Sequence, residues 1–294
     1  MRSVLDPVEP EQLRPAFSGI LNEAQRGGVL KSYRYIDGYL IVTLDGTGQY
    51  YSGNISCPDC CINSHKNGDT SYYHQLLAAA IVHPDKKTVI PFAPEPIIKE
   101  HNATKNDCEF NASERLLGKL KEEHPRLKII IVEDALYSKA PHIKLLNSLD
   151  YRYIIGVKEN GHKYLFDSVQ EKIFSSEDKV LETYNEKTKK HCGYRFINNL
   201  PLNKSSADVL VNFLEYWEID EKGKNTAYFT WVTDIELTEN NVLKIMRAGR
   251  ARWKIENEVF NTLKNQGYHF GHTWTWQKTF GDRICDVDDA RFFN

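Results

Sequence analysis

The chain has little of what marks a membrane or secreted protein. No apolar run approaches the roughly 20 residues needed to cross a bilayer, and the opening Met1-Arg2-Ser3-Val4-Leu5-Asp6 carries no signal-peptide core. Six cysteines in 294 residues are too few for a disulfide scaffold, so a reducing cytoplasm is the expected compartment. Internal repeats and low-complexity tracts are missing. An excess of one charge is missing too: 38 Lys and Arg against 40 Asp and Glu leave a net −2, which excludes an overall cationic coat. A hydrophobic content of 41% is enough for a real core, with one domain plus an insertion as the natural expectation. The positive charge is local. Residues 241–278 carry Lys244, Arg247, Arg250, Arg252, Lys254, Lys264 and Lys278 against Glu256 and Glu258, which predicts one contact with phosphates, a solvated basic helix being the plainer alternative.

Hydrophobic periodicity predicts an amphipathic helix over 10–25, with Leu13, Phe17, Ile20, Leu21 and Ala24 on one side. The run Tyr39 to Asp45 reads as a strand closed by Gly46-Thr47-Gly48, with a hairpin partner resuming at Gln49. Strands are expected over 72–82, 88–92, 127–132 and 151–157, and helices over 106–122 and 141–149. From 158 to 226 turn residues and charge multiply around strand-like runs such as Val209 to Leu214, an inserted, mainly β subdomain. A strand over 227–233 and helices over 238–250 and 253–266 close the fold. This order describes an α/β protein with a mixed sheet of the ribonuclease-H type flanked by helices. The expected division is a helical remnant (1–35), the first part of the core (36–157), the insertion (158–226), the end of the core (227–271) and a tail (272–294).

Two acids, Asp45 and Asp134, follow strongly apolar strands, where side chains at strand ends face one edge of an α/β sheet. Either one alone could be a strand terminator entering a turn. A third acid comes from the last helix. At about 100° per residue, Arg252, Glu256, Val259, Phe260 and Leu263 share one face, and Lys254, Glu258, Asn261, Thr262 and Asn265 the other. Glu256 is therefore expected on the sheet-facing side and Glu258 in water. Three convergent carboxylates with no cation would repel each other and take up protons. Hard oxygen ligands of this kind suit Mg²⁺ or Mn²⁺, and two such ions serve in-line displacement at phosphorus.

The segments Leu44-Asp45-Gly46-Thr47-Gly48, Val132-Glu133-Asp134-Ala135-Leu136 and Arg252-Trp253-Lys254-Ile255-Glu256, with Leu263-Lys264 and the long insertion before the glutamate, resemble the DDE insertion-sequence transposases, in the branch marked by a Tyr-Arg-Glu-Lys helix. The resemblance implies metal-dependent strand cleavage and strand transfer at the ends of a mobile element, in a prokaryotic, nucleoid-associated enzyme. It makes Asp45, Asp134 and Glu256 the catalytic triad and the ligands of two Mg²⁺ or Mn²⁺ ions. Arg252 and Lys264 become contacts to DNA phosphate, and Arg250 and Lys254 extend that basic surface. Its partners would be double-stranded DNA at element ends and at the target, held by a homodimer. The chain departs from the family pattern at two places. Gly249 stands where the signature tyrosine precedes the arginine by three residues, and Leu263 stands seven residues after Glu256, with Lys264 one later. On an α-helix that extra step turns Lys264 about 80° off the glutamate's face.

Three further expectations concern the loop after the first strand and the two ends. Cys57, Cys60 and His65, with His74 beyond, have ligand spacing for a structural zinc ion, reduced cysteines in a tight loop being the alternative. The short segment before the first strand suggests that the chain begins at an internal methionine of a longer reading frame. Residues from about 272 lack helical period, and a one-base shift in a back-translation from Trp276 allows a basic turn leading into an apolar helix. A frameshifted tail in a truncated copy is expected there, with Asp282, Asp286, Asp288 and Asp289 accidental. An inactive DNA-binding remnant and a stand-alone ribonuclease-H-like nuclease are the competing functional readings.

Overall fold

The computed structural model describes residues 10–54, 56, 60–98, 106–268 and 270. The helix α1 (Pro10–Arg26) is followed by β1 (Leu40–Ser52), β2 (Cys61–Ser64), β3 (Thr70–His83), β4 (Lys86–Pro91) and β5 (Glu95–Ile97). Helix α2 (Glu109–Glu123), β6 (Ile129–Glu133), α3 (Ala140–Ser148) and β7 (Arg152–Gly156) come next. Then follow α4 (Lys163–Phe174), β8 (Lys179–Asn185), β9 (Lys190–Pro201), β10 (Leu210–Asp220), β11 (Asn225–Thr233), α5 (Val242–Arg250) and, after tight and wide helical turns over 251–260, α6 (Asn261–Asn265). The start of the chain, Cys57 and the expected tail lie outside the described residues. No helix among those described is long and apolar enough to cross a membrane.

The 11 strands of the described residues join one mixed sheet, ordered β2-β3-β1-β6-β7-β11-β10-β9-β8, with β4 and β5 also paired to β3. Helices flank it, as expected of the mixed α/β class. The centre is parallel: β6 pairs with β1 on one side and β7 on the other. It is apolar on both faces because α2, α3 and α4 cover one and α5 the other. Alternation in β1 divides the two cores, with Leu40, Val42 and Leu44 on the α2–α3–α4 side and Ile41 on the α5 side. The residues between 158 and 226 supply α4 and β8–β10, and their strands extend the central sheet through β11.

Two local expectations are corrected. Gly46-Thr47-Gly48 is not a turn: β1 runs on to Ser52, pairing antiparallel with β3 through Ser52↔Tyr72 and absorbing only a bulge between Gly48 and Tyr50. The long partner β3 fixes an extended backbone that glycine by itself would leave open. In α1 the buried positions are Arg14 and Leu21, while Leu13 and Ile20 are exposed. Arg14 faces inward, where it donates to Glu123 at 2.6 Å.

Glu95 of β5 is buried and ties α2 to the sheet. It accepts from Arg115 at 2.8 Å and Lys119 at 2.8 Å, and Arg115 also holds Asp107 at 2.7 Å. Replacing Glu95 with Gln should destabilise the fold by about 2–3 kcal/mol, at or just under the usual cost of breaking a buried pair, because both cations keep some solvent access. Urea denaturation measures this, and an unchanged midpoint would contradict it.

Candidate active site

Asp45 and Asp134 are brought together by register. In the parallel pair β1–β6, Thr43 lies opposite Val132. Each acid is two residues further along its own strand direction, so both project on the same face at the carboxyl edge of the sheet. The Asp45 carboxylate accepts from its neighbour Gly46 N at 2.9 Å and from Arg252 at 3.0 Å. Asp134 is exposed just beyond β6, and its Oδ1 accepts from Leu136 N at 2.8 Å, which fixes the turn leading to α3.

Glu256 reaches the same place by another route than expected. It lies at the solvent edge, with half its side chain exposed, and accepts from Arg252 at 2.8 Å. Lys254, expected in water, is buried, and its ammonium donates to the Lys86 carbonyl at 2.5 Å. The helix is not uniform here: a 3₁₀ turn over Ala251–Trp253 leads into a π-helical turn over Ile255–Phe260, whose i→i+5 bonds hold one residue more per ring than an α-helix. A wheel drawn at α spacing therefore assigns the wrong faces across it. The same extra residue corrects the phase of Lys264: eight positions after Glu256, it comes back to about the face that seven would reach in a plain α-helix. Lys264 is exposed on α6.

Arg252 is thus bonded to two of the three acids. Burial opposes its charge, while Glu256, Asp45 and Asp134 together hold it firmly protonated. Burial also pushes the Asp45 carboxyl up to about 6, with Glu256 adding to the rise and Arg252 opposing it. Among the described residues no three His, Cys, Asp or Glu side chains close on one metal-sized point. The donor chemistry nonetheless fits a hard divalent cation: carboxylate oxygens at a sheet edge, with the Asp45 carboxyl pushed up by burial and by the charge of Glu256.

The sequence reading missed Glu109, the first residue of α2. A Cβ at position 46 would lie 2.1 Å from Glu109 Oε1, so the glycine makes room for that carboxylate beside Asp45. Burial raises the Glu109 pKa, and Asp134 raises it further. The signal was faint, since Glu109 sits among polar residues and not after an apolar strand. Behind Asp134, the fully buried Glu133 and His142 bond each other at 2.7 Å.

Arg250 donates to Glu218 at 2.6 Å and lies over the rings of Tyr216 and Phe229. It borders a groove of about 850 Å³, whose walls include Lys187, Lys190, Arg247, Arg250, Lys254 and Trp253. The departure at Gly249 has a cause in packing: a Cβ there would come within 2.6 Å of the Trp231 indole, which occupies the space. At the proposed zinc site, Cys60 Sγ is 3.3 Å from His74 Nε2. His65 turns instead to Ser71 at 2.8 Å and Tyr51 at 3.4 Å. Cys57, the remaining proposed ligand, lies outside the described residues.

A protein-family model described as a transposase DDE domain matches residues 41–275, which contain every residue of the acid cluster. No curated protein matches the chain.

The raised Asp45 pKa carries a pH signature. Its folded value lies above the 3.8 of an ordinary aspartate, so the folded state holds the proton more tightly than the unfolded chain. The group's contribution to stability is fully present below about pH 4 and is lost as pH rises through about 6. Carboxyl-detected NMR of the metal-free protein should give an Asp45 midpoint near 6, lowered in Glu256→Gln and raised in Arg252→Gln. A midpoint near 4 would mean a solvated side chain.

Proposed function

The chain belongs to the DDE transposase family, and from that premise we propose that it cuts and joins DNA strands at the ends of an insertion sequence. Asp45, Asp134 and Glu256 are the acids of the reaction. The observation that carries this reading is the register of the parallel pair β1–β6, which sets Asp45 on β1 beside Asp134 immediately after β6, with Arg252 linking Asp45 to Glu256. Members of the family generally use divalent ions such as Mg²⁺, and two bound ions would activate the attacking water or 3′-hydroxyl and stabilise the leaving oxygen.

The chain's own residues divide the remaining work. Asp45 and Asp134 present hard oxygen ligands from fixed strands, and Glu256 adds a third from a helix. Arg252 orients Asp45 and Glu256 and brings a permanent positive charge to the phosphate being cut. Lys264, on the glutamate's face, and the basic groove beside Arg250 follow the DNA backbone away from the site. Lys254 acts through the groove wall, since its ammonium is bonded inward. We read residues 158–226 as the insertion that carries the far wall of that groove, and a homodimer as the assembly that holds two ends.

Supercoiled plasmid with Mg²⁺ or Mn²⁺ tests the assignment. Asp45→Asn, Asp134→Asn and Glu256→Gln should each lower nicking by about 100-fold or more, given the charge each removes from the reacting centre. DNA binding should survive and weaken steeply with salt. Binding with no metal-dependent cleavage in the parent chain would mark an inactive remnant, and nicking with no joining of 3′ ends a nuclease. Unchanged nicking in all three variants would refute the acid assignment.

A further inference from the structure

Three segments deliver acids to the carboxyl edge of the sheet: β1, the turn after β6 and the π-turn helix. A fourth comes from the opposite face. Side chains alternate along β1, so the missing side chain of Gly46 points away from Asp45, toward the core that α2 covers. Into that gap comes Glu109, close enough that any Cβ on residue 46 would collide with its carboxylate. Placement at the start of α2 is fixed from two sides. Asn106 bonds Ile62 of β2 in both directions, at 2.9 and 2.5 Å, and Asp107 holds Arg115 at 2.7 Å. Such bracing holds in place a carboxylate whose affinity for a proton is raised by burial and raised further by the charge of Asp134.

A second group points into the same cluster. Tyr137, on the turn after Asp134, is 2% exposed, and its hydroxyl has no hydrogen-bond partner among the described residues. It feels the negative charge of Glu133, Glu109, Asp134 and Asp45 together. A buried hydroxyl without a partner, close to several like-charged carboxylates, is costly unless a further group satisfies both. A divalent cation carrying a phosphate group would do so, since the acids would meet the metal and a phosphate oxygen would accept from the tyrosine.

We propose that Glu109 is a fourth carboxylate of the metal centre, acting with Asp45 and Asp134 as a ligand from the opposite face of the sheet, and that Tyr137 hydrogen-bonds an oxygen bound there. This rests on the metal-dependent reading of the site. It also assigns Gly46 a role: the residue after the strand acid stays without a side chain so that Glu109 can reach the edge.

Mn²⁺ titration by calorimetry on the full chain, without DNA, tests the assignment independently of turnover. Glu109→Gln and Gly46→Ala should each weaken Mn²⁺ binding by about tenfold or more, as loss of a charged ligand does. Glu114→Gln, an exposed acid on the same helix, should leave it unchanged. Thermal melts confirm folding, and Mn²⁺ should raise the melting temperature of Glu109→Gln less than that of the parent. Parent-like Mn²⁺ affinity in Glu109→Gln, with binding lost in Asp45→Asn, overturns the role of Glu109 and leaves the three-acid site standing. No Mn²⁺ binding by the folded parent chain overturns both.

Discussion

Parallel pairing of β1 with β6 is the constraint from which the site follows. With Thr43 set opposite Val132, the acids two residues further along have no freedom to diverge, because strand period and sheet spacing fix where each side chain leaves the backbone. A slip of one residue would send one of the two acids to the far face. That register is enforced by branched residues buried on both faces, Ile41 and Val42 in one strand, Ile130, Ile131 and Val132 in the other. The most apolar part of the molecule thereby positions its most polar part.

Concentrated negative charge needs an opposing term, and Arg252 supplies it. Bonded to Asp45 and Glu256, it keeps two acids from separating when no metal screens them. Burial and the Glu256 charge still push the Asp45 carboxyl up to about 6, so the arginine offsets them only in part. The helix end that carries Arg252 is itself held from several directions. Arg250 is bonded to Glu218, Lys254 to the Lys86 carbonyl, and Arg247 to Asp85. These contacts tie the glutamate's helix to β10, to β4 and to the turn before β4, so the third acid is positioned by tertiary bonds as much as by its own helix.

Much of this was legible in the sequence. The long apolar runs marked the strands, and the acids after them stood out because little else polar interrupts those runs. The 158–226 segment read as β from its composition, and its strands do extend the sheet. What periodicity could not show was set by partners far along the chain. Gly46-Thr47-Gly48 has turn chemistry, and only the length of β3 keeps it extended. Glu256 and Lys254 exchanged their expected environments because the wheel assumes uniform spacing, and nothing in Ile255 to Phe260 announces a wide turn. Glu109 stayed hidden because the room for its carboxylate depends on a glycine 63 residues earlier.

The wide turn over Ile255–Phe260 also bears on how the helix tolerates genetic change. Holding one residue more than its α neighbours, it has the form a helix takes when a single codon is inserted and both flanks must keep their faces. The displacement is absorbed locally, leaving Arg252 before it and Lys264 after it in phase with the site. Loss of one codon between Asn257 and Phe260 would return the segment to plain α spacing with Glu256 kept, whereas the same loss inside α5 or β6 would throw every later contact out of step. The turn therefore makes the stretch between the glutamate and the lysine more forgiving of length variation than the core elements beside it.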